Sequence, residues 1–340
     1  MKLEWITLAV VLTVGLGCRP EVGAPISKIA GPAILAVKGV PAEVDPHANN
    51  PVAYEALAVD LDGRVPAPDK DITEPLLWAL CDQPKPPTES NSVSSSCADS
   101  YANPGVAGTT PTTYSAPVAY DACARFGPEV PPPTKEGQPS IRPRDADITG
   151  GYYQPVRVEL VVPEELRRPE MSTADSLIGF RMQRIYCGLL NADIKGIVEY
   201  QRDYQLNNNP VLTSLTVQAP GAGALDVPAS AAAAAPIPVS VGESITLAAN
   251  WSAESVESYP AQDPITRVLV THFESMRVSW FATGGSFQHD ITGRGENEHD
   301  TTYAENSWKS DTPGLVHLWV VLNDARGGTD FAALDLEVDR

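Results

Sequence analysis

Short segments in which apolar and polar residues alternate are the feature that most restricts the fold of this sequence. Val156, Val158 and Leu160 alternate with charged residues, the period-two pattern of a half-buried strand. Strand-like segments occur at 34–37, 52–60, 76–81, 152–162, 177–186, 245–249, 277–282, 314–322 and 331–338. Between them stand many of the 32 prolines and 25 glycines, as in proteins built of short strands and turns. The sequence therefore predicts a mainly all-β fold.

The length of 340 residues allows about two domains. We predict two immunoglobulin-like β-sandwich domains joined by a short helix. The predicted parts are a signal peptide (1–17), a lipidated tether (18–32), a first sandwich with long disulfide-pinned loops (33–206) and a second sandwich (210–340). The helix, over 189–205, closes the first domain. Leu190, Ile194, Ile197, Val198 and Gln201 fall near one face of this helix, and Asn191 is its predicted N-cap.

The N-terminus indicates export. The apolar run over 5–17 is too short to span a bilayer core of about 30 Å, but it has the length of a signal-peptide core. Gly15-Leu16-Gly17-Cys18 resembles the lipobox of bacterial lipoproteins. In that family the cysteine takes a diacylglyceryl group and becomes the first residue after cleavage. The alternative is an ordinary secretory signal followed by an incidental cysteine.

Two details qualify that resemblance. Gly15 stands where the lipoprotein family prefers leucine, and Glu4 is unusual in a basic leader. Arg19 follows the cysteine where the family's inner-membrane retention signal would be aspartate. The resemblance therefore implies an outer-membrane location, with acyl chains on Cys18 as the anchor.

Four cysteines remain once Cys18 is set aside. An even number in an exported chain suggests two disulfides, for which three connectivities exist. We favour the pairs Cys81–Cys97 and Cys123–Cys187, because they would pin the long loop region over 83–138. A zinc site is the alternative, but no Cys-x-x-Cys pair occurs.

A formal net charge of −19 limits the partners. Nucleic acid and anionic headgroups would be repelled, so neither is expected to bind the body of the protein. Such a charge would suit a cation or a basic partner, and a solvated acidic surface is the simpler interpretation. Cofactors are not expected, apart from the possibility of zinc or calcium.

One cluster of metal-ligating residue types deserves consideration. Its members are His289, Asp290, Glu296, Glu298, His299 and Asp300. Imidazoles and carboxylates suit zinc or another divalent ion when they converge in space. Gly293 and Gly295 instead favour an exposed, solvated loop over 287–303. Asn323, Asp324 and Asp330 offer oxygen ligands for calcium at a sandwich end, or simply a polar hairpin turn.

The C-terminal half resembles the immunoglobulin-like and PKD-like domains of bacterial surface proteins. The motifs that carry this resemblance are Val241-Gly242-Glu243-Ser244, Val278-Ser279-Trp280 and Thr312-Pro313-Gly314 before an alternating strand that ends at Asn323-Asp324. After Trp280 the sequence departs from the PKD-like pattern, because Ala282-Thr283-Gly284-Gly285 replaces the usual Gly-Asp-Gly.

The whole chain is similar, in patches, to a group of lipoproteins typical of myxobacteria. The matching pieces are Trp78-Ala79-Leu80-Cys81, Cys187-Gly188-Leu189, 207–210 and 278–287. The resemblance implies export and sandwich domains, and it implies no activity.

No Gly-x-Ser-x-Gly elbow, His-Glu-x-x-His pair or phosphate-binding glycine loop occurs. We therefore predict a non-enzymatic, membrane-anchored surface lipoprotein whose loops meet a protein or glycan partner. Tyr101, Tyr114 and Tyr120 would either bind glycan or cover the first core. The alternatives are a spacer subunit of an envelope assembly and an envelope hydrolase, which would need a cleft with convergent carboxylates.

Overall fold

The chain is mainly β, as predicted. The computed structural model describes residues 25–65, 76–85, 93–99, 106–107, 112–129, 146–162, 176–189, 193–230, 235–263 and 265–340. The predicted signal peptide, Cys18, Tyr101 and Asn191 lie outside the described residues.

The N-terminal half forms two facing sheets. Its strands are β1 (Ala33–Val40), β2 (Glu43–Val44), β3 (Pro51–Asp60), β4 (Gly63–Val65), β5 (Leu77–Leu80), β6 (Val106–Ala107), β7 (Thr113–Pro117), β8 (Tyr152–Val161) and β9 (Ser176–Ile185). Sheet I has the order β2-β9-β8-β5, and sheet II has the order β1-β3-β7-β6, with β4 paired to β3. The helices are α1 (Ser95–Asp99), α2 (Ala122–Phe126) and α3 (Ile194–Asp203).

The C-terminal half forms a second pair of sheets. Its strands are β10 (Leu212–Gln218), β11 (Leu225–Pro228), β12 (Ile237–Ser240), β13 (Ser244–Trp251), β14 (Ser258–Gln262), β15 (Leu269–Phe273), β16 (Met276–Ala282), β17 (Ser286–Phe287), β18 (Ile291–Arg294), β19 (Tyr303–Lys309), β20 (Gly314–Asn323) and β21 (Thr329–Asp339). Sheet III has the order β12-β21-β20-β16-β18, and sheet IV has the order β11-β10-β13-β19-β17. Strands β14 and β15 form a separate hairpin.

Alternating side chains fill the core between sheets I and II. Val156, Val158 and Leu160 of β8 point into it, as their spacing predicts. Trp78 of β5 lies parallel to Tyr114, with ring centroids 5.6 Å apart. Aromatic residues of both sheets therefore meet in the middle of the first sandwich, and Tyr114 is a core residue.

Strand β9 departs from the expected pattern. Its apolar residues Ile178, Phe180 and Met182 point outward and are exposed, whereas Arg181 and Gln183 point inward and are buried. The inward polar groups bond to neighbouring backbone: Arg181 donates to the Val37 carbonyl at 2.8 Å. Side-chain period alone cannot tell which face of a strand is covered.

The two sandwiches pack face to face, so that the sheets stack in the order I, II, III, IV. Strand β3 buries Tyr54 and Ala56 in the first core, while Leu57 and Val59 on its other side meet Trp319 and other residues of sheet III. Ile29, Val321, Phe281 and Phe331 complete this middle layer. We call it the seam. It explains the unbroken apolar runs in β3 and β20, because a strand covered on both faces has no polar side.

Part of the predicted tether is folded onto the seam. The backbone N–H of Ile29 donates to the Ala282 carbonyl at 2.9 Å, and the N–H of Ala282 donates to the Ser27 carbonyl at 2.9 Å. The Ser27 hydroxyl donates to Asp290, and both Ser27 and Ile29 are buried. The described end of the predicted tether over 18–32 is therefore in contact with the second sandwich from Ser27 onward.

Helix α3 is shorter than predicted among the described residues and exposes its apolar face. Asp193 is the N-cap, and its carboxylate accepts from the Gly196 N–H at 2.7 Å. Only Tyr200 is buried, stacked on Tyr204 with centroids 4.6 Å apart. Helix α3 thus packs against the rest of the protein through the face that carries Tyr200.

Candidate functional site

A cluster of charged and amide side chains joins the two sandwiches at one end of the seam. We call it the clasp, and its members are Glu43, Arg184, Tyr204, Asn207, Asn209, Glu257, Glu274, Asp324 and Arg326. The linker after α3 runs through its centre, and the turn between β20 and β21 closes it from the second sandwich.

Arg326, in that turn, is the central cation. Its Nε donates to Glu274, and its Nη2 donates to Glu257 at 2.5 Å. Its Nη1 donates to the Gln205 carbonyl of the linker at 3.0 Å, and its guanidinium lies 4.6 Å from the ring centroid of Tyr259. Glu257 and Glu274 flank the β14–β15 hairpin, so this one arginine ties the hairpin to the linker.

Arg184, at the end of β9, plays the same role in the first sandwich. Its Nη1 donates to the Thr149 hydroxyl at 2.7 Å, and its Nε lies 3.3 Å from the Glu43 carboxylate. The Tyr204 hydroxyl donates to the same carboxylate at 2.6 Å. The backbone N–H of Asn207 donates to Glu43 at 2.9 Å. A buried carboxylate with this many donors is satisfied without water.

Two linker asparagines contact both sandwiches. The Asn207 side chain donates to Asp324 at 3.1 Å, while its backbone bonds to Glu43. Asn209 Nδ2 donates to the Gly39 carbonyl at 2.7 Å, and its Oδ1 accepts from the Thr329 N–H at 2.8 Å. Helix α3 already ends at Asp203, so the Asn-Asn-Asn-Pro segment does not end it as predicted but fastens the two domains.

Burial shifts the ionisation of the clasp. Burial, followed by the negative charge of Asp324, raises the pKa of Glu274 to about 7. Burial also raises the pKa of Asp324, although Gly328 and Asn207 donate hydrogen bonds that oppose the shift. Burial acts to lower the pKa of Arg326, but Glu274 raises it overall. Two arginines thus stand among four carboxylates, a balance that favours keeping a proton in the cluster.

The geometry of the clasp fits a role in joining the two domains rather than a role in catalysis. The side chains of Arg184, Arg326 and Glu274 are almost wholly inaccessible, and each is committed to the partners named above. A reacting molecule would have to displace those partners to reach them. The geometry thus couples the domains, and it presents no nucleophile beside a base.

The predicted metal ligands have other partners. Asp290 accepts from Ser27, and Glu296 lies 3.0 Å from His272 Nδ1. Glu298 accepts from the Gly295 N–H at 3.0 Å, and the His299 ring stacks on Phe273. His289 and Asp300 are exposed. Within the described residues, no group of three or more ligating side chains converges.

The region around these residues is also more regular than a loop. It contains β18, a 3-10 turn over Glu296–Glu298 and the start of β19. The calcium candidates are likewise dispersed: Asp324 belongs to the clasp, Asp330 pairs with Lys38 at 2.8 Å, and Asn323 donates to Thr329 at 2.9 Å.

Both favoured cysteine pairs lie at disulfide distance. The Cα atoms of Cys81 and Cys97 are 5.3 Å apart, and those of Cys123 and Cys187 are 5.5 Å apart. The second pair joins α2 to the end of β9 across a sequence separation of 64. It therefore pins the segment that leads into the linker.

Apart from Asp324, a calcium candidate, the clasp residues were not predicted from the sequence as a site. Signals for some of them exist: Arg184 stands in an otherwise strand-like segment, and three asparagines precede a proline. The bonding partners could not be read from the sequence, because paired residues such as Glu43 and Arg184 are far apart along the chain.

Exposed apolar side chains lie on the two elements that are joined to the clasp, α3 and the β14–β15 hairpin. Ile194, Ile197 and Val198 form one face of α3, and Ile194 is 83% exposed. The adjacent β14–β15 hairpin carries Ile265, which is 88% exposed, together with exposed Val268 and Val270. We call these six residues the clasp-end surface. Tyr120 is exposed as well, and its ring meets His47 edge-on at 4.9 Å.

Within the described residues, no helix combines the length and the apolar character that crossing a membrane would require.

No protein-family model matches the sequence, and no curated protein matches it. Solved structures of low similarity do match. The D00-D0 domain of intimin is 9% identical, with a TM-score of 0.21, over 90% of this chain and 100% of that chain. The fibronectin(III)-like modules of Clostridium thermocellum CbhA are 10% identical, with a TM-score of 0.21, over 91% of this chain and 94% of that chain. Domains 4 and 5 of the S-layer protein SbsC are 10% identical, with a TM-score of 0.20, over 90% of this chain and 99% of that chain. TM-scores of this size do not establish a common architecture, so the fold rests on the strand pairing described above.

Proposed function

We propose that this chain is an interaction module of the bacterial cell envelope. A lipid on Cys18 holds it at a membrane, and it binds a protein partner without catalysing a reaction. The leader-like N-terminus and the two cysteine pairs support export, because disulfides persist in oxidising compartments. The anchor follows from the lipobox resemblance at Gly15-Leu16-Gly17-Cys18.

The observation that carries the binding function is the clasp-end surface. Apolar side chains at i, i+3 and i+4 of a helix normally face a core, but in α3 they face solvent. Clustered exposed apolar residues beside polar ones mark protein-binding sites more often than they mark free surface. The seam and the clasp hold this surface on a rigid base, which lowers the entropy lost on binding.

The spacer alternative has less support. A spacer gains reach when its domains stand end to end, whereas these two sandwiches lie side by side across the seam. Glycan binding is the other alternative, and the exposed ring of Tyr120 is its main support among the described residues.

Quantitative pull-down from detergent-solubilised native envelope tests the proposal. The bait is the full lipidated chain, compared with an Ile194→Ser/Val198→Ser variant and a Leu315→Ser control at an exposed site on the other end. Proteins retained by the wild type and the control but lost by the α3 variant would support the function. Identical retention by all three would overturn it.

A further inference from the structure

We infer that the clasp-end surface faces away from the anchoring membrane and docks a protein that presents an apolar, non-acidic face. The inference rests on the proposed lipid at Cys18. It adds an orientation, an occupied surface and the character of the partner to the proposed function.

The point of attachment sets the orientation. The chain is fixed at Ser27 by Asp290 and by the backbone of Ala282. Nine peptide units separate Cys18 from Ser27, a reach of at most about 30 Å. The end of sheet III that contains Ala282 therefore stays within about 30 Å of the anchor, and the inference places this end nearer to the bilayer.

The clasp lies at the opposite end of the same strands. Strand β16 runs from Met276 to Ala282, and its partner β20 runs antiparallel from Gly314 to Asn323. The 10 residues of β20 extend over about 30 Å. Asp324 and Arg326 follow its far end, so the clasp, the base of the hairpin and the C-terminus of α3 are all distant from the attachment point.

Exposed apolar residues lie on elements that are attached at that far end. Besides the clasp-end surface, Val40 ends β1 beside the linker, Leu206 lies in the linker, and Val211 precedes β10. All three are exposed and close to clasp residues in the chain. At the near end Ile26 and Leu315 are exposed, as is Leu225, which pairs with Val217 near the end of β10.

The net charge of the chain bears on which partner would bind the clasp-end surface. A second copy would carry the same net charge of −19 and would be repelled, as would an anionic lipid surface. The charges on α3 are largely paired with one another: Lys195 lies 3.7 Å from Glu199, and Arg202 lies 2.6 Å from Asp203. The face between them is free to meet an apolar surface, and the acidic body attracts a partner of opposite charge.

Energy transfer in reconstituted membranes tests the orientation. A fluorescent non-natural amino acid is placed at Ile265 or at Leu315 of the full lipidated chain, in vesicles that contain an acceptor-labelled lipid. We expect at least twofold greater transfer from position 315 than from position 265. Equal transfer, or greater transfer from 265, would overturn the orientation.

Photo-crosslinking at the same two positions in native membranes tests the occupant. We expect adducts with another protein at 265 and not at 315, and the adduct should be lost in the Ile194→Ser/Val198→Ser background. Lipid adducts or self-adducts at 265, or protein adducts at 315, would overturn the inference. Absence of any protein adduct, with the asymmetry of energy transfer intact, would instead overturn the proposed binding function.

Discussion

The side-chain oxygen of Asn209 accepts a hydrogen bond from the backbone N–H of Thr329 at 2.8 Å. Through its amide nitrogen, the same side chain donates to the Gly39 carbonyl of the first sandwich at 2.7 Å. One linker residue therefore satisfies a backbone donor in one domain and a backbone acceptor in the other. The relative position of the domains is specified by hydrogen bonds as well as by apolar packing.

Replacing Asn209 with alanine should destabilise the protein by about 1–3 kcal/mol, because both backbone groups lose their partner where water has little access. Urea unfolding of the full chain measures this change. Asn208→Ala is the matched control: its side chain is exposed and bonds to Glu257 at 2.6 Å. An equal loss for both variants would contradict the bridging role of Asn209.

Trp319→Ala should uncouple the sandwiches. Trp319 is 1% exposed and lies in the seam, so its truncation leaves a cavity that costs about 3–5 kcal/mol. Calorimetry should show one unfolding transition for the wild type and two for the variant. Leu315→Ala, on the same strand but 49% exposed, should leave the single transition. If Trp319→Ala instead gives a single transition at a lower temperature, the two sandwiches still unfold together and the predicted uncoupling is wrong.

Some of this architecture can be read from the sequence, for identifiable reasons. Alternation locates β8, and the Asp62-Gly63 turn locates the β3–β4 hairpin, because both signals are local. The apolar runs in β3 and β20 indicate strands covered on two faces, but not that they cover each other through Leu57 and Trp319. That pairing depends on long-range packing, which no local pattern encodes.

Helix α3 shows that an apolar pattern in the sequence does not establish burial. The apolar face of α3 predicts a buried surface, because most amphipathic helices of globular proteins cover a core. Here the tyrosine side is buried instead, through Tyr200 and its stacking partners. A sequence pattern reports that a face is apolar and does not report what covers it. In the sequence, a helix face that stays exposed looks the same as one that covers a core.

Glu274 should make stability fall as pH rises. The pKa of its carboxyl is raised from 4.5 to about 7, first by burial, so the folded state holds the proton more tightly than the unfolded state. This contribution is fully present below about pH 4.5 and is lost as pH rises through 7. Glu274→Gln removes the titration and should flatten the pH dependence of the unfolding free energy in this window. Glu305→Gln, at an exposed position of β19, should leave the slope unchanged.

His317 should add a second pH-dependent contribution at the seam. Its Nδ1 lies 2.7 Å from Asp335, and that hydrogen bond, with help from Asp60 and Asp62 of the first sandwich, raises the pKa of the imidazole. The stabilisation is complete below about pH 6.5 and disappears as pH rises through the elevated value. NMR titration should place this pKa above the ordinary histidine value of about 6.5, and Asp335→Asn should lower it. An unchanged pKa in that variant would show that Asp335 is not the cause.

Removing the Cys123–Cys187 pair should cost more stability than removing the Cys81–Cys97 pair. The sequence separations are 64 and 16, and loop-closure entropy predicts about 4 and about 3 kcal/mol for loops of these sizes. The difference in stability should be larger still, because Cys187 lies between Arg184 and the linker, which both contribute to the clasp. Releasing Cys187 should therefore weaken the hydrogen bonds that join the two domains. Urea unfolding of the two double-serine variants measures the ranking. Hydrogen exchange at Asn207 and Thr329 separates the two effects: exchange should accelerate in Cys123→Ser/Cys187→Ser and not in Cys81→Ser/Cys97→Ser, whereas equal acceleration would show that the clasp does not depend on the longer link.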